Sequence, residues 1–274
     1  MKKRFLIVFS FFSSLSFSQS FTLSTELKEI SGLEFINDST MVALNDGGNS
    51  PHLYVLNKKG KILKKVLISN AMNSDWEDIA ADDDYIYIGD IGNNLNKRKD
   101  LRIYRVSIND VLKQKEVIAD EMQIAYSDQK EFPPALNNRN FDSECLISAN
   151  GYLWVFSKNN SDPFDGNCKV YRFKFIENTK KEIELFSTIY FGNRGFYFDT
   201  PTAGDFSNGD FYITTYNRWL VFKLEGTSFK LTNKKKYSEY NQKEALTVQG
   251  SNLWVANEYN KLLGKPKLKR ITLK

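Results

Sequence analysis

Asn73-Ser74-Asp75-Trp76-Glu77-Asp78-Ile79-Ala80 reads as a polar approach, a group of acids and then a short apolar strand. Phe141-Asp142-Ser143-Glu144-Cys145-Leu146-Ile147 and Asn241-Gln242-Lys243-Glu244-Ala245-Leu246-Thr247 repeat it, and residues 28–34 and 201–206 are weaker copies. A second apolar element follows each copy at residues 41–46, 87–90, 154–158, 212–216 and 254–258. A third comes after a polar loop, at residues 53–56, 103–106, 170–173, 221–224 and 268–271. Elements recurring in one order mark a repeat architecture, and that decides the fold before any local detail does.

The spacing predicts four short antiparallel strands per repeat of about 40 to 65 residues, the pattern of a β-propeller blade. The fifth repeat has only three recognisable strands, and residues 21–27 alternate apolar and polar as a leftover strand should. Placing that strand in the fifth repeat joins the chain ends and closes a ring, which removes exposed sheet edges. An all-β propeller of five blades is therefore expected, with six as the alternative if a long connection (residues 130–140 or 192–201) hides a degenerate blade. A two-sheet sandwich would leave the ordered triplets unexplained.

Lys2, Lys3 and Arg4, an apolar run over residues 5–12, and Ser16-Phe17-Ser18 read as a signal peptide cleaved after Ser18. The run is too short for a permanent membrane helix. The domain plan is a leader over 1–18 and one propeller over 19–274, exported to the periplasm or beyond, with no integral membrane segment and a monomer expected. Lys2, Lys3 and Arg4 carry three of the net +5 charges, so the mature chain is nearly neutral and nucleic acid is not an expected partner. The single His, His52, argues against a multi-His zinc site and against a Ser-His-Asp triad.

In a blade the innermost strand lines the channel, and successive strands run antiparallel. The start of each first strand thus shares a face with the end of each second strand. That face gathers Asp75, Glu77, Asp142, Glu144 and Glu244, together with Asn45, Asp46, Asp90, Lys158, Tyr216 and Glu258. Arg98, in the long polar loop after Asp90, lies beside them. The same geometry sets Cys145 on a first strand and Cys168 on a third, about 9.6 Å apart at two strand spacings, too far for a disulfide.

Asp75-Trp76-Glu77-Asp78-Ile79-Ala80, Ile88-Gly89-Asp90-Ile91-Gly92-Asn93-Asn94 and Glu244-Ala245-Leu246 resemble secreted bacterial β-propellers of the SdiA-regulated and phytase-like groups. The resemblance is spread over the mature chain in short motifs. It implies a propeller, an acidic channel and Ca²⁺ binding.

From the residues, the first functional reading is a binding protein with a divalent cation, Ca²⁺, held at the channel mouth by Asp75, Glu77, Asp142, Glu144 and Glu244. Carboxylates, carbonyls and water supply the six to eight oxygens this ion takes. Asn45, Asp46, Asp90, Arg98, Lys158, Tyr216 and Glu258 would then contact a small, glycan or phosphate-bearing ligand. The second reading is a hydrolase with Glu77, Glu144 and Glu244 as catalytic candidates, of the glycosidase type or the phosphoesterase type with Lys158 or Arg98 on the phosphate. A third is a protein-interaction scaffold, displaying aromatics such as Phe196, Tyr197 and Tyr259. The plainest alternative for the acids is structural: pairing with Lys158 or Arg218.

Overall fold

Strands such as Met41-Val42-Ala43-Leu44 are apolar at every position, so both faces must be covered. The computed structural model, which describes residues 18–273, shows how. The strands form five sheets arranged radially as a five-bladed β-propeller. The innermost strands are Ile30–Phe35, Trp76–Ala81, Ser143–Ala149, Ala203–Ser207 and Lys243–Gln249. Each packs against the next and the fifth returns to the first, closing the ring. The six-bladed alternative is excluded for these residues.

The core follows from this arrangement. It consists of five apolar wedges, one between each pair of neighbouring blades. Val42 and Leu44 enter the wedge toward the second blade, while Met41 and Ala43 enter the one toward the fifth. Alternate side chains of one strand therefore serve two interfaces. Trp76 and Trp154 are fully buried in these wedges, where truncation of such a ring to Ala costs about 3–5 kcal/mol.

The fifth blade is completed by the chain start: Ser18–Thr22 pairs antiparallel with Lys267–Thr272, Phe21 facing Leu268. The strand expected over residues 21–27 is shorter and earlier. Ser24 accepts a hydrogen bond from the Glu26 N–H and starts a 3₁₀ turn over Thr25–Leu27, which buries Leu27. The apolar spacing of Leu23 and Leu27 belongs to that turn. The leader predicted over 1–18 falls, but for Ser18, outside the described residues.

Two edge strands are additions to the expected plan. Glu116–Val117 lies parallel on the outer strand of the first blade, and Thr179–Ile183 parallel on that of the second. Both come from the chain of the following blade and cover an otherwise open edge. Cys145 and Cys168 are free and buried, as the strand geometry requires. No helix among the described residues is long and apolar enough to cross a membrane.

Candidate functional site

The innermost strands do not pair evenly with their neighbours. In four blades one residue is skipped, and the skipped residues are Ser31, Glu77, Glu144 and Glu244. The fourth blade keeps an unbroken register from Ala203. A β-bulge re-aims a side chain, and here it brings three glutamates of three blades together at the start of the innermost strands. This is the mouth expected from the sequence, and the bulge explains why these positions carry the acids.

Asparagines stitch the mouth loops together. Asn73 donates to the carbonyls of Asn45 (3.1 Å) and Asp46 (2.9 Å) and accepts from the Trp76 N–H, which draws the first blade's loop onto the second blade. Asn93 does the same one blade on: its N–H meets Asp142 Oδ1 at 2.6 Å and its amide reaches the Phe141 carbonyl at 3.0 Å. The first of these joins brings carboxylate oxygens of Asp46, Asp75 and Glu77 within 4.8 Å of one another. The sequence reading gave Asp46 a ligand-binding role and not a metal-binding one; the geometry puts it in the tightest acidic group.

Two glycines make this closeness feasible. A Cβ on Gly92 would meet the Glu77 carboxylate and lie 2.5 Å from Asp75 Oδ2, and one on Gly47 would lie 2.6 Å from Asp75 Oδ1. Only residues without a side chain let the loop backbones approach the acids so closely.

The electrostatics are severe. Burial, and then the charges of Glu144, Asp46, Asp142 and Asp75, hold Glu77 well above the usual carboxylate range. Burial pushes Asp46 up to about 6, with Asp75 and Glu29 adding to it. Asp142 rises to about 6 for the same primary reason, although Lys158 and the Asn93 N–H hold it down. Glu258 is pushed up to about 8 by burial, Glu244 and Asp46. Against this stands Lys158. Burial opposes its charge, but Glu144 and Glu244 keep it protonated well above the usual lysine range. Its ammonium contacts a Glu144 oxygen and lies 3.0 Å from the Tyr216 hydroxyl. Glu244 is raised by burial, with Lys158 and Tyr216 offsetting part of the rise.

Other candidates are committed elsewhere. Arg98 binds Asp90 Oδ1 at 2.9 Å, Asp100 at 3.2 Å and the Gly92 carbonyl at 2.8 Å, so it braces the second blade's loop. Asp90 Oδ1 also accepts from the Asp75 N–H at 3.0 Å. Arg218 pairs with Asp199 at 2.7 Å and with none of the mouth glutamates. Asn45 donates to the Glu26 carbonyl at 2.7 Å. Meanwhile Asp90 Oδ2, Asp142 Oδ2, Glu144 Oε2 and Asn45 Oδ1 are buried oxygens with no hydrogen-bond partner. Buried acceptors left unmatched are costly, and all four lie in this mouth.

A second set of acids escaped the sequence reading. Asp78 Oδ2 accepts from the Leu146 N–H (2.9 Å), Asp205 Oδ2 from the Val248 N–H (2.6 Å), and Glu34 Oε1 from the Thr247 hydroxyl (2.9 Å). Each bonds to the innermost strand of another blade. These carboxyls are satisfied and clamp neighbouring blades. Their signal in the sequence is an acid at the third residue of the first strand (Asp78, Asp205) or the fifth (Glu34).

No protein-family model matches the chain, and no curated protein matches it. Among solved structures, the glutaminyl cyclase of Myxococcus xanthus is similar with a TM-score of 0.54 and 11% identity, over 94% of this chain and 98% of that one. The virginiamycin B lyase of Staphylococcus aureus has a TM-score of 0.46 and 11% identity, over 95% and 100%. A luciferin-regenerating enzyme has a TM-score of 0.48 and 12% identity, over 89% and 77%. At such identity the likeness to the cyclase is one of fold. The resemblance drawn from the sequence thus stands at the level of β-propeller architecture.

Proposed function

We propose that the chain is an exported propeller whose channel mouth holds a divalent cation, Ca²⁺ by preference, and uses it to bind a small oxygen-rich ligand. One observation carries this reading: besides Asp90, which Arg98 neutralises, seven carboxyls crowd the mouth, Asp46, Asp75, Glu77, Asp142, Glu144, Glu244 and Glu258, while the cation that contacts them there is Lys158. Like charges packed this closely raise one another's pKa and destabilise the ionised site unless a cation joins them. The donors are all oxygens, which suits a hard cation. Asp46, Asp75 and Glu77 would hold it, and Asp142 and Glu144, whose charges act on Glu77, each keep an unpartnered buried oxygen. Such a group supplies a positive charge able to take ligand oxygens. The leader-like residues 1–18 support export.

The test is calorimetric titration with Ca²⁺ and Mg²⁺, alongside thermal unfolding. Saturable binding is expected, with a stability gain of about 2.7 kcal/mol at a hundred times Kd. Asp75→Asn combined with Glu77→Gln should abolish the gain and leave the metal-free fold at least as stable. If neither ion binds and the double variant only loses stability, the acids are structural.

A hydrolytic reading has one specific support. Glu258 carries its proton up to about 8, beside Glu244, and a carboxyl protonated at neutral pH suits a general acid. Turnover of chromogenic glycosides or phosphoesters that is lost in Glu258→Gln would favour it.

A further inference from the structure

We propose that the ligand at this mouth is a neutral saccharide, laid on an aromatic lip and completing the cation's coordination with its hydroxyls; this rests on the cation reading above. The lip is the connection between the third and fourth blades. Its single helical turn, Phe196–Asp199, presents Phe196 and Tyr197 to the mouth. The Phe196 ring lies 5.0 Å from Lys158 Nζ, and the Tyr197 ring lies 6.5 Å from that of Tyr216. Phe198 lies 6.1 Å from Tyr240 of the next connection, the two rings tilted at 48°. Tyr197 is 62% exposed and Tyr240 is 52% exposed, so these rings stand open to solvent.

The backbone that carries those rings is pinned. Asp199 is buried beneath it, and its carboxylate takes Arg218 at 2.7 Å, Arg194 Nη2 at 2.5 Å and the Arg194 N–H at 2.6 Å. A Cβ on Gly192 would lie 2.7 Å from Asp199 Oδ2, so the backbone closes over the carboxylate. Rings carried on a pinned backbone lose less freedom when a ligand packs on them, which is how a preorganised surface gains affinity.

Charge selects the ligand class. Besides the divalent ion, an anionic ligand would need further free cationic groups, and Arg98 is held by Asp90 and Asp100 while Lys158 is held by Glu144. Even with Glu258 protonated, six carboxylates against Lys158 and one divalent ion leave the mouth negative, which repels phosphate and uronate. A neutral sugar meets no such repulsion. It offers vicinal hydroxyls to the cation and buried carboxyls, and a C–H face to the tyrosines.

The experiment measures calorimetric binding of neutral glucose, mannose and galactose hexasaccharides, with inorganic phosphate and galacturonate as anionic probes, in Ca²⁺ or in EDTA. Expected is binding of at least one neutral hexasaccharide in Ca²⁺, lost in EDTA. It should weaken about tenfold or more in Tyr197→Ala and in Tyr240→Ala, while Ca²⁺ affinity is unchanged. No binding across the neutral panel by a Ca²⁺-loaded protein overturns the saccharide and spares the cation. Binding of phosphate or galacturonate in its place also overturns it. Sugar binding that EDTA leaves intact overturns the cation's part in it, and failure of Ca²⁺ itself to bind removes both.

Discussion

The ammonium of Lys158 contacts the carboxylate of Glu144 across the end of the third blade's first two strands, and both side chains are more than nine-tenths buried. The pair is also shared, since Glu244 and Tyr216 act on the same ammonium. Removing one member of a buried pair strands the other, at about 3–5 kcal/mol. Lys158→Met should therefore destabilise more than the double variant Lys158→Met/Glu144→Gln. Denaturant unfolding of the full cycle should return a coupling of about 1–3 kcal/mol; additive single variants would show that the contact contributes nothing of its own.

Stability in EDTA should fall as pH rises from about 4 to about 6. Asp142 and Asp46 keep their protons up to about 6 in the folded chain, against an ordinary value of 3.8. Between those values the folded state holds more protons than the unfolded one. The stability this lends is full below the lower pH and gone above the higher. With Ca²⁺ present the slope should flatten or reverse, because the ion needs ionised carboxylates. Melting temperatures across this window check it, and Asp142→Asn should lose its share of the EDTA slope.

Gly92→Ala should cost at least a tenfold loss of Ca²⁺ affinity with little change in melting temperature. Its new methyl group must displace the carboxylates of Glu77 and Asp75, and these are flexible ends that move without unfolding a blade. Calorimetry on the variant decides it, and unchanged affinity would place the cation away from these acids.

Deleting residues 18–23 should lower the melting temperature by well over 5 °C. It exposes the Lys267–Thr272 edge and removes Phe21 and Leu23 from the wedge between the fifth and first blades. An unchanged melting temperature would mean that the ring does not depend on this strand.

The blades were legible because their strands are buried on both faces and recur in order, so Trp154-Val155-Phe156 and Trp254-Val255-Ala256 announce equivalent positions. The mouth was legible in outline for the same reason. What could not be read was the membership of its parts. Asp46 joins Asp75 and Glu77 through hydrogen bonds of Asn73 that span two blades, and no local pattern encodes them. Glu144 sits in the same repeat position as Glu77 yet faces Lys158, because the residue after the second strand differs between the two blades: Lys158 in one and Ile91 in the other. The edge strand Glu116–Val117 is two residues long and borrows its partner from another blade, so it leaves no period to detect. Residues 21–27 misled because alternation over so short a span fits a turn as well as a strand.

The pairing of Ser18–Thr22 with Lys267–Thr272 also fixes the order of events during biosynthesis. Nearly the whole polypeptide separates these partners, and at about 5–20 residues per second a ribosome takes roughly ten to fifty seconds to make it. Through that interval Leu27, Ile30 and Met41 of the first blade lack the fifth-blade side chains that cover them. The nascent chain therefore carries a sticky, unfinished flank until its final strand emerges.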